Sequence, residues 1–272
     1  MTTYLGVCGW PVAHSRSPQM QNAALAAAGL RDWRYLRLPL PPELFDETVR
    51  ALPAAGFRGV NVTIPHKLGA LALADEASEA ALAIGAANTL TFDGGRIVAD
   101  NTDAPGLLDA IGEPVSGRRA VVLGAGGAGR AAAWALAGAG ADVAIWNRTT
   151  ETAVALAAEL GVRAAATAAG AQILVNCTSV GLHDPGATFK ALPIEADELD
   201  AGSLVVDMVY RAGGTQLLEA ARTRGARVID GLEVLVAQGA ASFERWTGME
   251  APREAMREAA IGTAITWIRQ HR

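Results

Sequence analysis

One short stretch, Gly124-Ala125-Gly126-Gly127-Ala128-Gly129, carries the strongest local chemical signal in the chain. Gly124, Gly126 and Gly129 fit the spacing G-x-G-x-x-G, which lets a backbone turn tightly, approach a pyrophosphate and pack a helix closely on a strand. Arg118–Leu123 before it reads as a buried strand, and the Ala-rich stretch Arg130–Ala139 after it as a helix. Backbone N–H groups at such a helix start face phosphates, so the segment predicts dinucleotide binding. Without a ligand the same glycines are only a tight helix entry. The next strand, Asp142–Trp146, runs into Asn147-Arg148-Thr149. A site for NAD usually has Asp or Glu at that strand end, bonded to the ribose 2′-OH. Asn147 removes that negative charge, and Arg148 offers a fork of donors to a 2′-phosphate. A charge-assisted bond of about 1.5–3 kcal/mol corresponds to an NADP preference of about 10- to 150-fold.

Polar side chains gather in four further segments: Gly9 to Pro18 (GWPVAHSRSP), Asn61 to Lys67 (NVTIPHK), Ala87-Asn88-Thr89, and Asp100-Asn101-Thr102-Asp103. Lys67 stands out among them. Pro65 suits the first turn of a helix, which places Lys67 near that helix's N-terminus, where a cation is disfavoured by about 0.3–1 kcal/mol. A sequence chosen for stability alone rarely puts Lys there, so a chemical role is expected. Read singly, the other residues have ordinary explanations. Asp103 before Ala104-Pro105, and Ser17 before Pro18, suit helix N-caps. Asn61 and Asn88 suit loop bonding, Gln238 a helix surface, and Arg148 a solvated cation. His14 and His66 read as structural, and Cys177 has no base visible in the sequence.

These segments need elements to hold them. Strands are expected at Tyr4–Cys8, Trp33–Leu38, Arg58–Val62, Ala87–Phe92 and Arg96–Ala99, the last two flanking a hairpin signal at Asp93-Gly94-Gly95. Helices are expected at Ser17–Ala28, Pro42–Leu52, Pro65–Leu73 and Thr102–Ile111. A second alternating series runs from Arg118 to about Ile229, and Gly231–Arg272 reads as two helices without a strand. Strand–helix alternation implies α/β layers with parallel sheets covered on both faces, and ligands outside the carboxyl ends of the strands.

Composition narrows the classes. Hydrophobic residues are 51% of the 272, which excludes intrinsic disorder. The 58 Ala and 30 Gly against 5% aromatics predict a core thin in large side chains. A net charge of -5 without a basic stripe argues against nucleic acid. Mean hydropathy is +0.22, yet the longest uncharged stretch, Ala164 to Leu182, holds Gln172, Asn176, Thr178 and Ser179, so no membrane span is expected. The first residues lack the basic start of a secretory signal. Cys8 and Cys177 form no metal or CxxC pattern. No metal is expected, and a reducing cytoplasm is.

Taken in order, the segments HSRSP, NVTIPHK, GAANTL, DNTD, GAGGAGR, NRT, NCTSVG, DMVY and GLEVLVAQG resemble the shikimate dehydrogenase family, and the resemblance covers essentially the whole chain. It implies an N-terminal α/β substrate domain of residues 1–103 joined by C-terminal helices from 234–272. A Rossmann-type doubly wound NADP-binding domain would occupy 104–233, and the two chain crossings would hinge a cleft shut. The implied activity is reversible NADPH-dependent reduction of 3-dehydroshikimate to shikimate on the route to aromatic amino acids. Ser15 and Ser17 would bond the substrate carboxylate. Asn61, Thr63, Lys67, Asn88, Asp103 and Gln238 would hold the ring hydroxyls, with Tyr210 near the substrate. Lys67 and Asp103 match the catalytic pair, Lys67 shuttling the proton and Asp103 orienting it. Gly124, Gly126, Gly127, Ala128 and Gly129 match the pyrophosphate loop, Asn147, Arg148 and Thr149 the 2′-phosphate site, and Thr178 and Gly231 the nicotinamide half. Two positions depart from the pattern: Thr152 where the family often has Lys or Arg, and Val234 where it usually has Met. The alternatives are a quinate or amino-shikimate dehydrogenase with relaxed NAD(P) use, a non-catalytic NADP-binding regulator, and a methylene-tetrahydrofolate dehydrogenase-like enzyme. A monomer and a homodimer both fit the sequence.

Overall fold

The computed structural model describes residues 2–211 and 213–270. The chain forms two compact units, one of residues 1–106 and 235–272, the other of residues 107–234. In chain order the first unit contains β1 (Thr3–Gly9), α1 (Ser17–Ala27), β2 (Trp33–Pro39), α2 (Phe45–Ala51), β3 (Phe57–Val62), α3 (Lys67–Leu73), β4 (Glu76–Ala77), α4 (Glu79–Ile84), β5 (Thr89–Asp93) and β6 (Arg96–Asp100). Helix α5 (Asp103–Ile111) carries the chain into the second unit. There follow β7 (Arg119–Leu123), α6 (Gly127–Gly138), β8 (Asp142–Trp146), α7 (Thr150–Leu160), β9 (Arg163–Ala164), β10 (Ile173–Asn176), α8 (Thr188–Ala191), β11 (Leu204–Asp207), α9 (Gln216–Thr223) and β12 (Arg227–Asp230). Helix α10 (Gly231–Thr247) returns the chain to the first unit, and α11 (Arg253–Gln270) packs there on α1.

The first sheet has the order β2-β1-β3-β5-β6-β4 and is mixed. Strand β1 is parallel to β2 and β3, whereas β5 is antiparallel to β3 and β6. The wholly parallel sheet expected from strand–helix alternation is therefore corrected here, because the predicted Asp93-Gly94-Gly95 hairpin reverses the chain without a crossover helix. Register decides where the polar segments meet. Asn61 lies opposite Thr89, and Thr89 opposite Asp100, while Cys8 on β1 lies beside Val62 on β3. One sheet end thus collects the segments after β1, β3 and β6 and the one before β5.

The second sheet has the order β12-β11-β10-β7-β8-β9, with every pairing parallel. This is the doubly wound dinucleotide-binding order, reversing direction between β7 and β10. Side chains alternate between its faces, as strand geometry requires. Ala120, Val122, Val143, Ile145, Val175 and Val206 pack under α6 and α7, and Val121, Leu123, Leu174 and Val205 under α9. Helix α6 meets the sheet through Ala132, Ala133 and Leu136, so small residues set a short helix–sheet distance. Among the described residues no helix is long and apolar enough to cross a membrane.

Candidate active site

Lys67 is the first residue of α3, with His66 as the N-cap. Pro65 does not sit in the helix's first turn as its residue type suggests. A cis Ile64–Pro65 bond and a turn closed by the His66 N–H donating to the Thr63 carbonyl precede the helix. The Lys67 ammonium donates to Asp103 Oδ2 at 2.5 Å, and both side chains are only 12% exposed. Asp103 opens α5 but does not cap it. Its Oδ1 accepts from Asn88 Nδ2 at 2.9 Å, while Asn101 Oδ1 accepts the Ala104 N–H. The N-cap explanation of Asp103 therefore gives way to a charged pair braced by an amide.

Asn88 Nδ2 also points at Gln238 Oε1, 3.2 Å away, and the Gln238 amide donates to the Leu235 carbonyl at 2.7 Å. Gln238 is buried on α10, not at a helix surface. Asn61 Oδ1 accepts from the Tyr35 hydroxyl at 2.8 Å, and its Nδ2 faces the Ser242 hydroxyl at 2.9 Å and the Asn88 carbonyl at 3.2 Å. The amide of Asn61 is thus fully engaged inside the protein, beneath Asn88. Ser242 Oγ lies within 2.9–3.0 Å of the Thr89 and Thr102 hydroxyls, closing a buried polar floor under the charged pair. Buried polar groups require such partners. Tyr35, Thr89, Thr102 and Ser242 were not singled out from the sequence. Thr89 lies in the GAANTL segment and Thr102 in DNTD. For Ser242 the available signal is its i, i+4 spacing from Gln238, which puts both on one helix face.

Ser15 and Ser17 follow β1 and are both buried; the Ser17 N–H donates to Ser15 Oγ at 3.3 Å. Ser17 is inside α1, with Arg16 as the N-cap, so it does not cap that helix. Arg37 Nη2 donates to the Ser15 carbonyl at 2.7 Å. Thr63 packs its methyl against Gly9 and is half-buried. His66 stacks on Phe45 with ring centres 4.2 Å apart and bonds the Leu40 carbonyl at 2.7 Å, a packing role.

The other predicted residues belong to the second unit. Gly126 is the N-cap of α6 without a side-chain cap. A Cβ added at Gly126 meets no atom within 4 Å, whereas one at Gly129 would lie 1.8 Å from the Gly124 carbonyl oxygen. Gly126 thus leaves open space over an uncapped helix start, and Gly129 allows the loop to fold back on itself. Gly127 and Ala128 form the first turn. Gly124 lies against Cys177 and the Thr178 methyl, at the point where strand order reverses. After β8, Asn147 Oδ1 accepts the Ala125 N–H at 3.2 Å, while Arg148 and Thr149 are exposed. An uncapped helix start, an open face over Gly126 and a strand end without an acid fit a dinucleotide bearing a 2′-phosphate. Tyr210 follows β11, and Gly231 begins α10 with its Cα pressed against the Met208 carbonyl, 2.5 Å from where a Cβ would stand.

Comparison with known proteins agrees over most of the chain. Family models described as shikimate dehydrogenase substrate binding domain, shikimate / quinate 5-dehydrogenase and shikimate 5'-dehydrogenase C-terminal domain match residues 7–90, 107–177 and 231–261 respectively. An NADP(+) shikimate dehydrogenase of Thermus thermophilus is 46% identical over 93% of this chain and 96% of its own. One from Anaeromyxobacter dehalogenans is 45% identical over 95% of each. The crystal structure of a Thermus thermophilus shikimate 5-dehydrogenase in complex with NADP(H) and shikimate superposes with a TM-score of 0.88 at 44% identity, covering 96% of this chain and 99% of that one. With sheet order, segment order and near-complete coverage all in agreement, this chain belongs to the shikimate dehydrogenase family.

Proposed function

We propose that the chain is an NADP-dependent shikimate dehydrogenase, interconverting 3-dehydroshikimate and shikimate. The observation that carries this reading is the Lys67–Asp103 pair, 2.5 Å apart and braced by Asn88 over a buried polar floor. When bound, NADPH supplies the hydride for the ketone carbon. Lys67 Nζ delivers a proton to the ketone oxygen as negative charge develops there, and takes it back when shikimate is oxidised. Asp103 holds the ammonium in line, and Asn88, through its second contact, holds Asp103. Ser15 and Ser17 bond the substrate carboxylate. Thr63, Asn88 and Gln238 take the ring hydroxyls, with Asn61 supporting Asn88 from below. Gly124, Gly126, Gly127, Ala128 and Gly129 receive the pyrophosphate, and Asn147, Arg148 and Thr149 the 2′-phosphate. Thr178 and Gly231 would flank the nicotinamide half, and Tyr210 the substrate. The substrate machinery is assigned to residues 1–103 and 234–272 and the cofactor machinery to 104–233. A reducing cytoplasm suits Cys8 and Cys177, both of which are thiols.

The test is absorbance at the NADPH band with shikimate and NADP, repeated with NAD and with quinate. Turnover fastest with shikimate and NADP is expected. A preference for quinate or for NAD would replace the reading with one of the alternatives, and no turnover despite tight NADP binding would make the chain a binding protein.

A further inference from the structure

A half-buried cation in the first unit has no anion of its own. Arg37, on β2, donates from Nη2 to the Ser15 carbonyl at 2.7 Å, and its Nε is buried without a hydrogen-bond partner. Among the described residues no carboxylate lies within ion-pair distance of it. The Ser15 carbonyl takes one of its N–H groups but supplies no countercharge. Withdrawing a charge from water without an opposite charge costs stability, so a sequence chosen for folding alone favours a neutral side chain here.

The elements around Arg37 fix where that charge stands. Arg37 shares a face of β2 with the buried Tyr35, two residues before it. Asn22 of α1 clamps this strand to the helix start: its Nδ2 donates to the Pro18 carbonyl at 2.7 Å and the Tyr35 carbonyl at 2.9 Å, and its Oδ1 accepts the Tyr35 N–H at 2.9 Å. The guanidinium is thereby held against the loop in which the Ser17 N–H donates to Ser15 Oγ. Other cations of the region are engaged elsewhere. Arg16 donates to the Ala260 carbonyl on α11 at 2.9 Å, and Lys67 is paired with Asp103. Helix α1 has no acidic residue in its first turn, so its positive end lacks a countercharge as well.

We infer that Arg37 is a positioning residue for the substrate carboxylate: its unpaired charge, held against Ser15, draws the anion onto the Ser15 and Ser17 hydroxyls and selects an anionic ring acid over a neutral one. The inference rests on the shikimate reading and assigns Arg37 no contact with the substrate. Two serine hydroxyls alone accept a neutral ester almost as well as a carboxylate, whereas a fixed cation discriminates between them. Unit charges about 10 Å apart at an effective dielectric of about 20 attract enough to change binding about 5- to 30-fold.

Initial rates of the full chain with NADP test this on two substrates, shikimate and its methyl ester, in which the carboxylate is neutral. Arg37→Gln keeps a donor for the Ser15 carbonyl and removes the charge. It should raise the KM for shikimate about 5- to 30-fold and leave that for the ester within about twofold, with kcat for both within about threefold. Arg37→Lys keeps the charge and should retain most of the wild-type preference for the acid. Arg34→Gln makes the same charge change at an exposed position of β2 and should leave the ratio of the two KM values unchanged. Should Arg37→Gln fold poorly, Arg37→Met fills the space without a charge and should give the same split. Equal rises for acid and ester would make Arg37 a brace of the loop and overturn the inference, as would no rise for either. Wild-type protein that turns over neither substrate overturns the shikimate reading itself.

Discussion

Replacing Lys67 by Met removes the ammonium and keeps most of the side chain's volume. The structure sets two magnitudes for this change. Asp103 loses a partner at 2.5 Å in a site where both groups are 12% exposed, but retains Asn88 at 2.9 Å. Breaking a buried pair costs about 3–5 kcal/mol, and the surviving amide bond places the loss near the lower end, about 3 kcal/mol of folding stability. The rate should fall further than stability explains. A positioned proton donor contributes about 10²- to 10⁴-fold, so kcat for shikimate oxidation should drop by that factor, about 2.7–5.5 kcal/mol of barrier. Binding of NADP should stay within about twofold, because the Gly-rich loop belongs to the other unit. Initial rates at the NADPH band, chemical denaturation and calorimetric titration of NADP measure the three quantities. A variant whose kcat stays within tenfold of wild type would refute the proton-transfer role. A rise confined to the KM for shikimate would make Lys67 a binding group only.

Three further outcomes follow from the second unit. Arg148→Ala should weaken NADP about 10- to 150-fold while leaving NAD nearly untouched, and equal losses for both would remove Arg148 from the phosphate site. Gly126→Ala should fold normally and lose NADP affinity, since the added methyl enters open space over the helix start. Gly129→Ala should instead lose stability by about 1–3 kcal/mol or more, its methyl colliding with the Gly124 carbonyl; melting curves and titrations that showed the reverse order would disprove this division of labour. The fourth concerns pH. Burial pushes the Asp207 carboxyl up to about 6, with Asp230 adding to the shift, against about 3.9 in an unfolded chain. Between those values the folded state binds the proton more tightly, so stability from this group is greatest below pH ~4 and declines as pH rises to ~6. The decline is about 3 kcal/mol. Asp207→Asn should abolish it, and a stability difference between the two proteins that stayed constant from pH 4 to 7 would contradict the assignment.

How much could be read before folding depended on the range of each interaction. The Gly-rich loop was legible because its requirements are local: Gly124, Gly126 and Gly129 meet within six residues of one another. The hairpin at Asp93-Gly94-Gly95 and the two final helices were legible for the same reason. Strand β4, two residues long, carries too little pattern to be noticed. Pro65 suits a helix's first turn by residue type, yet it lies in the turn that the His66 N–H and the Thr63 carbonyl close ahead of α3. The polar floor was the least accessible. Asn61 and Ser242 are 181 residues apart in sequence, and nothing in either neighbourhood announces the other. Asp103 was readable as a cap or as a pair member, and only the tertiary contact with Lys67 decides between them. Asp207 shows the same limit: in DMVY the aromatic Tyr210 stands out by residue type, while the three buried bonds of Asp207 come from Asn176, Val209 and Thr215.

The alanines of α6 impose a constraint on how this sequence can drift. Ala132 and Ala133 are both buried against the sheet, at the smallest size that still favours a helix. A larger residue at either of them must push the helix off β7 and β8, and glycine, the one smaller choice, costs about 1 kcal/mol of helix stability. Change is therefore penalised in both directions, and the inward face of α6 should be almost invariant in any library of functional variants. The cofactor loop would inherit that immobility, since the same helix begins at Gly127.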